Sequence, residues 1–239
     1  MSGHSHWHSI KYKKGIADAK KSKVFSKIAR EITVTAKESG GDPNFNPKLR
    51  LAVEKARSFN MPADNIERSI KKGTGEIEGA VLENINLEAY GPGGITIIIE
   101  GITDNKNRAL AEIKQILNQN GGKLVGEGAI KWMFERKGVL IIDSQLKNKD
   151  ELEMAAIEAG AENIYWHDNF LDVYTKPEEL ELVKKGLENK GIKLDSVSLD
   201  WVAKENIEIN KEGREAAEKL FSLLDENDAV QEIYSNFKT

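Results

Sequence analysis

Apolar positions in the first quarter of the chain recur at helical spacing, whereas those beyond it alternate or run together as strand positions do. Wound at about 100° per residue, Ala17, Val24, Phe25, Ile28, Ala29, Ile32 and Ala36 fill one arc, which predicts a helix over residues 17–38. Gly40 and Gly41 stop it, since glycine ends helices at little cost. After the loop DPNFNP at 42–47, a second helix is expected over 47–59 and a third over 63–72, ended by Gly73 and Gly75. Short connections make these a small helical domain, placed at residues 1–80.

From Leu82 the period changes. INLEAY at 85–90 and ITIIIEG at 95–101 read as strands around the turn YGPGG at 90–94. A helix over 106–119 and a strand IKWMFE at 130–135 follow. Residues 138–200 then read strand GVLIID, helix DELEMAAIEAG, strands ENIYWH and FLDVYT, helix EELELVKKGLENKG and strand KLDSVSLD. Thr175 and Glu178 stand as a capping box with Pro177 in the first turn of that last helix. The order is βαββαβ, the ferredoxin-like unit. A strand near 202–208, a helix over 211–224 and a strand at 229–236 join the strand, helix and strand of 95–135 to complete a second such unit. The expected fold class is therefore α+β: an N-terminal helical domain followed by two ferredoxin-like α/β domains, the third inserted into the second. Its boundaries are 1–80, 81–136 with 202–239, and 137–201.

The 239 residues, 39% apolar and 31% charged, suit two or three globular modules. The chain has no cysteine, which removes disulfides, thiolate metal sites and cysteine nucleophiles. No stretch approaches the roughly 18 apolar residues of a membrane span, and the N-terminus lacks the apolar core of a signal peptide. A cytoplasmic protein without membrane association is expected.

Charge changes the picture most. Residues 1–75 carry 16 Lys or Arg against 7 Asp or Glu, a net of +9, while the remainder carries 19 against 32, a net of −13. Such asymmetry points to a polyanion-binding module on an acidic body. Within the basic segment, Lys20, Lys23, Lys27, Arg30 and Lys37 share an arc of about 100° on the first helix, apart from its apolar arc. Lys21 falls outside that arc. Lys11, Lys13 and Lys14 extend the charge toward the N-terminus, where His4, His6, Trp7, His8 and Tyr12 interleave. Cations a turn apart can meet successive phosphates, and aromatics can stack on unpaired bases. Arg50, Lys55 and Arg57 on the second helix are candidate readers of base edges, and Lys71 and Lys72 close the candidate set. A solvated lysine face is the bland alternative; the +9 segment on an acidic chain weighs against it.

Catalytic patterns are missing. GTGEIEG, YGPGG and GGKLVGEG match neither G-x-G-x-x-G nor a phosphate-binding Gly-Lys-Ser/Thr loop, and no H-E-x-x-H occurs. They read as turns and helix stops, with a flexible loop at 121–129 that could touch a partner. His167 beside Asp168 lies between two strands with no placed nucleophile, and a hairpin turn accounts for it. His4 could bind Cu²⁺ or Ni²⁺ through an amino-terminal Ser-Gly-His after loss of Met1, but such tripeptides take up copper incidentally, so no metal or other cofactor is expected.

GHSHWHSIKYKKGIADAKKSKVFSKIAREI, NMPADNIERSIKKGTGE, YGPGG and GGKLVGEGAIKWMFERKG, in that order along nearly the whole chain, together resemble the YebC/PmpR family, which includes the mitochondrial translational activator of cytochrome c oxidase. The resemblance implies a helical domain and two α/β domains, with no enzymatic activity. It implies a DNA-binding transcriptional regulator, or alternatively a translation factor that acts at the ribosome and relieves stalling on proline-rich stretches. The partners implied are nucleic acid, DNA or ribosomal RNA, bound by a monomer or homodimer. Matching positions here are Gly3, His4, Ser5, Trp7, Ile10, Lys11, Lys14, Asp18, Ala19, Lys20, Lys21, Lys23 and Lys27, then Asn60, Met61, Pro62, Asn65, Ile66 and Lys71. His6 stands where the family more usually has lysine, and His8 replaces a small residue, which leaves the arm less cationic at neutral pH.

Overall fold

The computed structural model describes residues 18–144, 148–167 and 169–237. Three helices come first: α1 (Asp18–Ser39), α2 (Pro47–Ser58) and α3 (Ala63–Thr74). Val24, Ile28, Ile32 and Ala36 recur every four residues on α1 and bury against Leu49, Ala52, Val53 and Ala56 of α2, with Met61 and Ile66 closing the cluster. Asn46 fixes the entry to α2. Its side chain accepts from the Leu49 N–H at 3.1 Å and donates to the carbonyls of Thr35 and Gly40, both at 2.9 Å, so one buried amide ties the end of α1 to the start of α2. Asn60 adopts a left-handed φ of 57°, which asparagine tolerates, and the Met61 N–H reaches back to the Ala56 carbonyl. Asn60 and Met61 thus turn the chain and fill the core.

Gly73 does not end α3. The helix runs on to Thr74 and is closed by Gly75 at φ 81°. A Cβ on Gly73 would stand 2.3 Å from the Thr33 carbonyl oxygen and 2.7 Å from the Ala36 Cβ, so the residue permits a close crossing of α3 on α1.

Two four-stranded antiparallel sheets follow, as expected for the α+β class. The first contains β1 (Glu83–Tyr90), β2 (Thr96–Thr103), β3 (Lys123–Val125) and β8 (Val230–Ser235) in the order β3-β1-β2-β8. Helices α4 (Lys106–Gln119) and α7 (Lys211–Glu226) cover one face, packing Ile113, Leu117, Leu220, Phe221 and Leu224 on Ile85, Ala89, Ile97 and Ile99. Helix α1 also touches β2.

The second sheet contains β4 (Phe134–Asp143), β5 (Asn163–His167), β6 (Phe170–Thr175) and β7 (Ser196–Ala203) in the order β5-β6-β4-β7. With α5 (Lys149–Ala159) and α6 (Leu180–Asn189) its path is βαββαβ, the ferredoxin-like unit. Residues 133–206 form one compact unit, and the described residues on either side of them form the other.

The path through the first sheet differs from the sequence expectation. Counted along the chain, its strands lie in the order third, first, second, fourth, against second, third, first, fourth in the second sheet, and β1 and the short β3 stand in place of the expected strands at 202–208 and 130–135. The reason is continuity of pairing. Residues 131–133 make a 3₁₀ turn, and Phe134 opens one ten-residue strand whose first residues pair with Trp201, Val202 and Ala203 at the end of β7. Ile207 makes an isolated bridge to Phe237. The capping box at Thr175 is also not formed: its hydroxyl donates to the Lys176 carbonyl at 2.9 Å, and a 3₁₀ turn over Pro177–Glu179 opens α6 without a side-chain cap. Among the described residues no helix is long and apolar enough to cross a membrane.

Candidate nucleic-acid interface

The cationic row of α1 is real as a face, but its described members point at the protein itself. Lys23, Lys27 and Arg30 lie at i, i+4 and i+7, and all three reach the C-terminal end of α7. Lys23 donates to the Glu226 carbonyl, Arg30 to the Asp228 carbonyl, and Lys27 to the Asp225 carbonyl at 2.8 Å and its carboxylate at 3.2 Å. The last carbonyls of a helix lack intrahelical partners and carry negative potential, so Lys23 and Lys27 satisfy acceptors of α7 itself, and Arg30, at Asp228 two residues past its end, adds a third cation opposing the dipole. Lys27 is only 7% exposed, and burial holds its amine below the usual lysine range despite the Asp225 charge beside it. A residue so enclosed does not reach a phosphate. Lys37 continues the row by donating to the Leu82 carbonyl at 3.4 Å.

The sequence held a signal for this arrangement. Asp225, Glu226 and Asp228 stand at the end of a helix, where acidic residues are unfavourable unless cations face them.

The second helix gives a similar result. Lys55 bridges Glu31 at 3.1 Å and Glu232 at 2.8 Å, joining α1, α2 and β8. Burial alone would lower its pKa, but the two carboxylates outweigh it and raise the pKa above the ordinary lysine value. Arg50 donates to the Pro43 carbonyl at 3.2 Å. Two of the three candidate base readers on α2 are therefore engaged within the protein, while Arg57 is exposed. On α3, Lys71 pairs with Glu67 at 2.6 Å, and Lys72 is exposed. Asn65, Arg68 and Lys72 share one stripe of α3 and all are exposed; Arg68 is a cation of this segment that sequence reasoning passed over.

His4, His6, Trp7, Lys11, Lys13 and Lys14 lie outside the described residues, as does the side chain of Lys20; Lys21 is exposed.

A second organised feature involves residues the sequence reading did not select. Glu88 of β1 is 6% exposed, and its carboxylate accepts backbone N–H groups from Gly128 at 2.6 Å, Ile130 at 2.7 Å and Lys131 at 3.0 Å. Burial would raise its pKa, but these three donors and the Lys131 charge prevail and hold it below the usual carboxylate range. The stretch after β3 is therefore clamped, where the sequence suggested a flexible loop.

His167 ends the strand read from ENIYWH and does not lie in the hairpin turn that follows it. It closes β5 within the strand, and its Nδ1 lies 3.4 Å from the carboxylate of buried Asp172, to which the Tyr174 hydroxyl also donates at 3.3 Å. The ring stacks with Tyr165 and Phe170 at centroid distances of 6.4 and 5.6 Å. Asp168 lies outside the described residues. Among the described residues no group of three or more His, Asp or Glu is arranged to hold a metal ion.

Comparison with known proteins accounts for the whole chain. Residues 5–76 match the TACO1/YebC protein N-terminal domain, and residues 82–237 match the TACO1/YebC second and third domain. A probable transcriptional regulatory protein of Halothermothrix orenii is 48% identical, with 99% of this chain and 95% of the relative covered. One of the same description from Persephonella marina is 47% identical over 100% and 96%. The crystal structure of a conserved hypothetical protein from Aquifex aeolicus superposes with a TM-score of 0.90 at 40% identity, covering 98% of this chain and 96% of that one. The chain belongs to the TACO1/YebC family.

Proposed function

We propose that this protein is a non-enzymatic, nucleic-acid-binding regulator of gene expression that acts on DNA in the cytoplasm to control transcription. The observation that carries the reading is the separation of charge: a net of +9 on residues 1–75 and −13 on the rest. Net charge draws a polyanion toward the first part more strongly than toward the second, which orients the encounter before any contact forms. The names of the relatives, probable transcriptional regulatory proteins, support the same reading.

The cations assigned to phosphate lie ahead of the capped row of α1 and on the exposed surface of α2 and α3. Lys11, Lys13, Lys14, Lys20 and Lys21 precede the row that α7 occupies, and Arg57, Arg68 and Lys72 are exposed on α2 and α3. His4, His6 and Trp7 add aromatic surface ahead of the lysines. Lysine contacts phosphate without reading sequence, so specificity falls to Arg57, Arg68 and Asn65, whose side chains can pair with base edges.

Footprinting of the full chain on genomic DNA, run beside ribosome co-sedimentation, tests the assignment. Discrete protected sites, with no protein in the ribosomal pellet at physiological salt, are expected. Ribosome association without protected DNA would overturn it and assign the protein to translation.

A further inference from the structure

Residues 126–130 connect β3 to the 3₁₀ turn Lys131–Met133, and the clamp from Glu88 fixes the backbone of loop and turn at Gly128, Ile130 and Lys131. Ile130 is fully buried and anchors the loop from inside. Trp132 is the opposite case: 67% of it is exposed, and its indole N–H donates to the Ala129 carbonyl at 3.0 Å. A hydrogen bond at one edge of the ring sets its plane while most of its surface meets solvent. Exposed aromatics are common, but one oriented by its own hydrogen bond on a clamped loop loses little freedom when something flat settles on it. Gly126 and Gly128 have open space where a Cβ would stand, so neither crowds the loop, and exposed Lys131 sets a cation next to the indole in sequence.

We infer that Trp132 is a stacking platform for an unpaired nucleobase, with Lys131 meeting the adjoining phosphate. A planar, weakly polar face beside a cation is the chemistry that single-stranded nucleic acid selects, because every base offers a π-face and every linkage a charge. A paired base keeps its faces inside the duplex, so the platform discriminates single from double strands. The inference rests on the nucleic-acid reading above and adds to it a place where melted DNA or RNA is held.

The test uses the full chain and three fluorescein-labelled probes of one sequence: a 20-nucleotide RNA, the matching single-stranded DNA, and the DNA duplex. Trp132→Leu, which keeps an apolar side chain but removes the π-face, is expected to weaken single-strand binding by roughly 5- to 150-fold and leave duplex binding unchanged. Trp132→Phe should retain most of the affinity. Equal loss on RNA and single-stranded DNA places the contact on the base; loss on RNA alone makes RNA the occupant. Wild-type affinity of Trp132→Leu for single strands, with duplex binding intact, overturns the inference and spares the wider reading. So does an equal loss on all three probes. If the unaltered protein binds none of the probes, both fall together.

Discussion

The amine of Lys27 sits 2.8 Å from the carbonyl oxygen of Asp225 and 3.2 Å from its carboxylate, 198 residues away along the chain. With Lys23 and Arg30 beside it, the first helix caps the last one. Removing one member of so enclosed a pair leaves the other without its counter-charge, and the carbonyl without its donor. Lys27→Met is expected to lower stability by roughly 2–3 kcal/mol, somewhat less than for a fully buried pair because Asp225 keeps some solvent. Urea unfolding measures this. Nucleic-acid affinity of the folded variant should match wild type, since this amine has no access to phosphate; a selective loss of affinity with stability unchanged would contradict the assignment.

Gly73 presents a sharper steric case. Alanine favours a helix over glycine by about 1 kcal/mol. Here the added carbon would stand 2.3 Å from the Thr33 backbone oxygen, so α3 must shift on α1. Gly73→Ala should therefore destabilise by about 2–4 kcal/mol, against the sign of helix propensity. A thermal melt of this variant at or above the wild-type midpoint would show that the helices do not cross so closely.

Glu88 gives a pH dependence of definite sign. Its folded pKa lies below the ordinary 4.5, so the stability it contributes is fully present above that value and is lost as pH falls through the lower folded one. Glu88→Gln replaces a charged acceptor of three N–H groups with a neutral amide and should cost about 2–3 kcal/mol at pH 7. The gap between wild type and variant should narrow as the solution is acidified below pH 4.5. Hydrogen exchange at neutral pH should show faster exchange at Gly128, Ile130 and Lys131 in the variant, and uniform protection there would count against the clamp.

Much of this fold was legible because its signals are local. Asn105 and Gln119 bracket α4 where periodicity placed it, and β6 spans the FLDVYT segment, since alternation and glycine stops need no knowledge of partners. Errors arose where a distant partner decides. The join between Trp132 and Phe134 looked like part of one strand until pairing with β7 set where β4 begins. Gly73 read as a helix stop because nothing near it in sequence reveals the backbone of α1 against it. The cationic face of α1 was visible, but its occupant lies some two hundred residues later, and only the acidic end of α7 hinted at it. Glu88 was hidden because a carboxylate that binds backbone N–H groups leaves no residue-type signature.

Lysines ahead of the capped row that hold phosphate should govern the salt dependence of binding. Binding of duplex DNA should be titrated with salt for the full chain and for a variant with Lys11, Lys13, Lys14, Lys20 and Lys21 all changed to Gln. If each lysine meets one phosphate, the log–log slope of affinity against salt should become shallower by about 4.5 in the variant, with weaker binding throughout. Matching slopes and affinities for the two proteins would contradict the account.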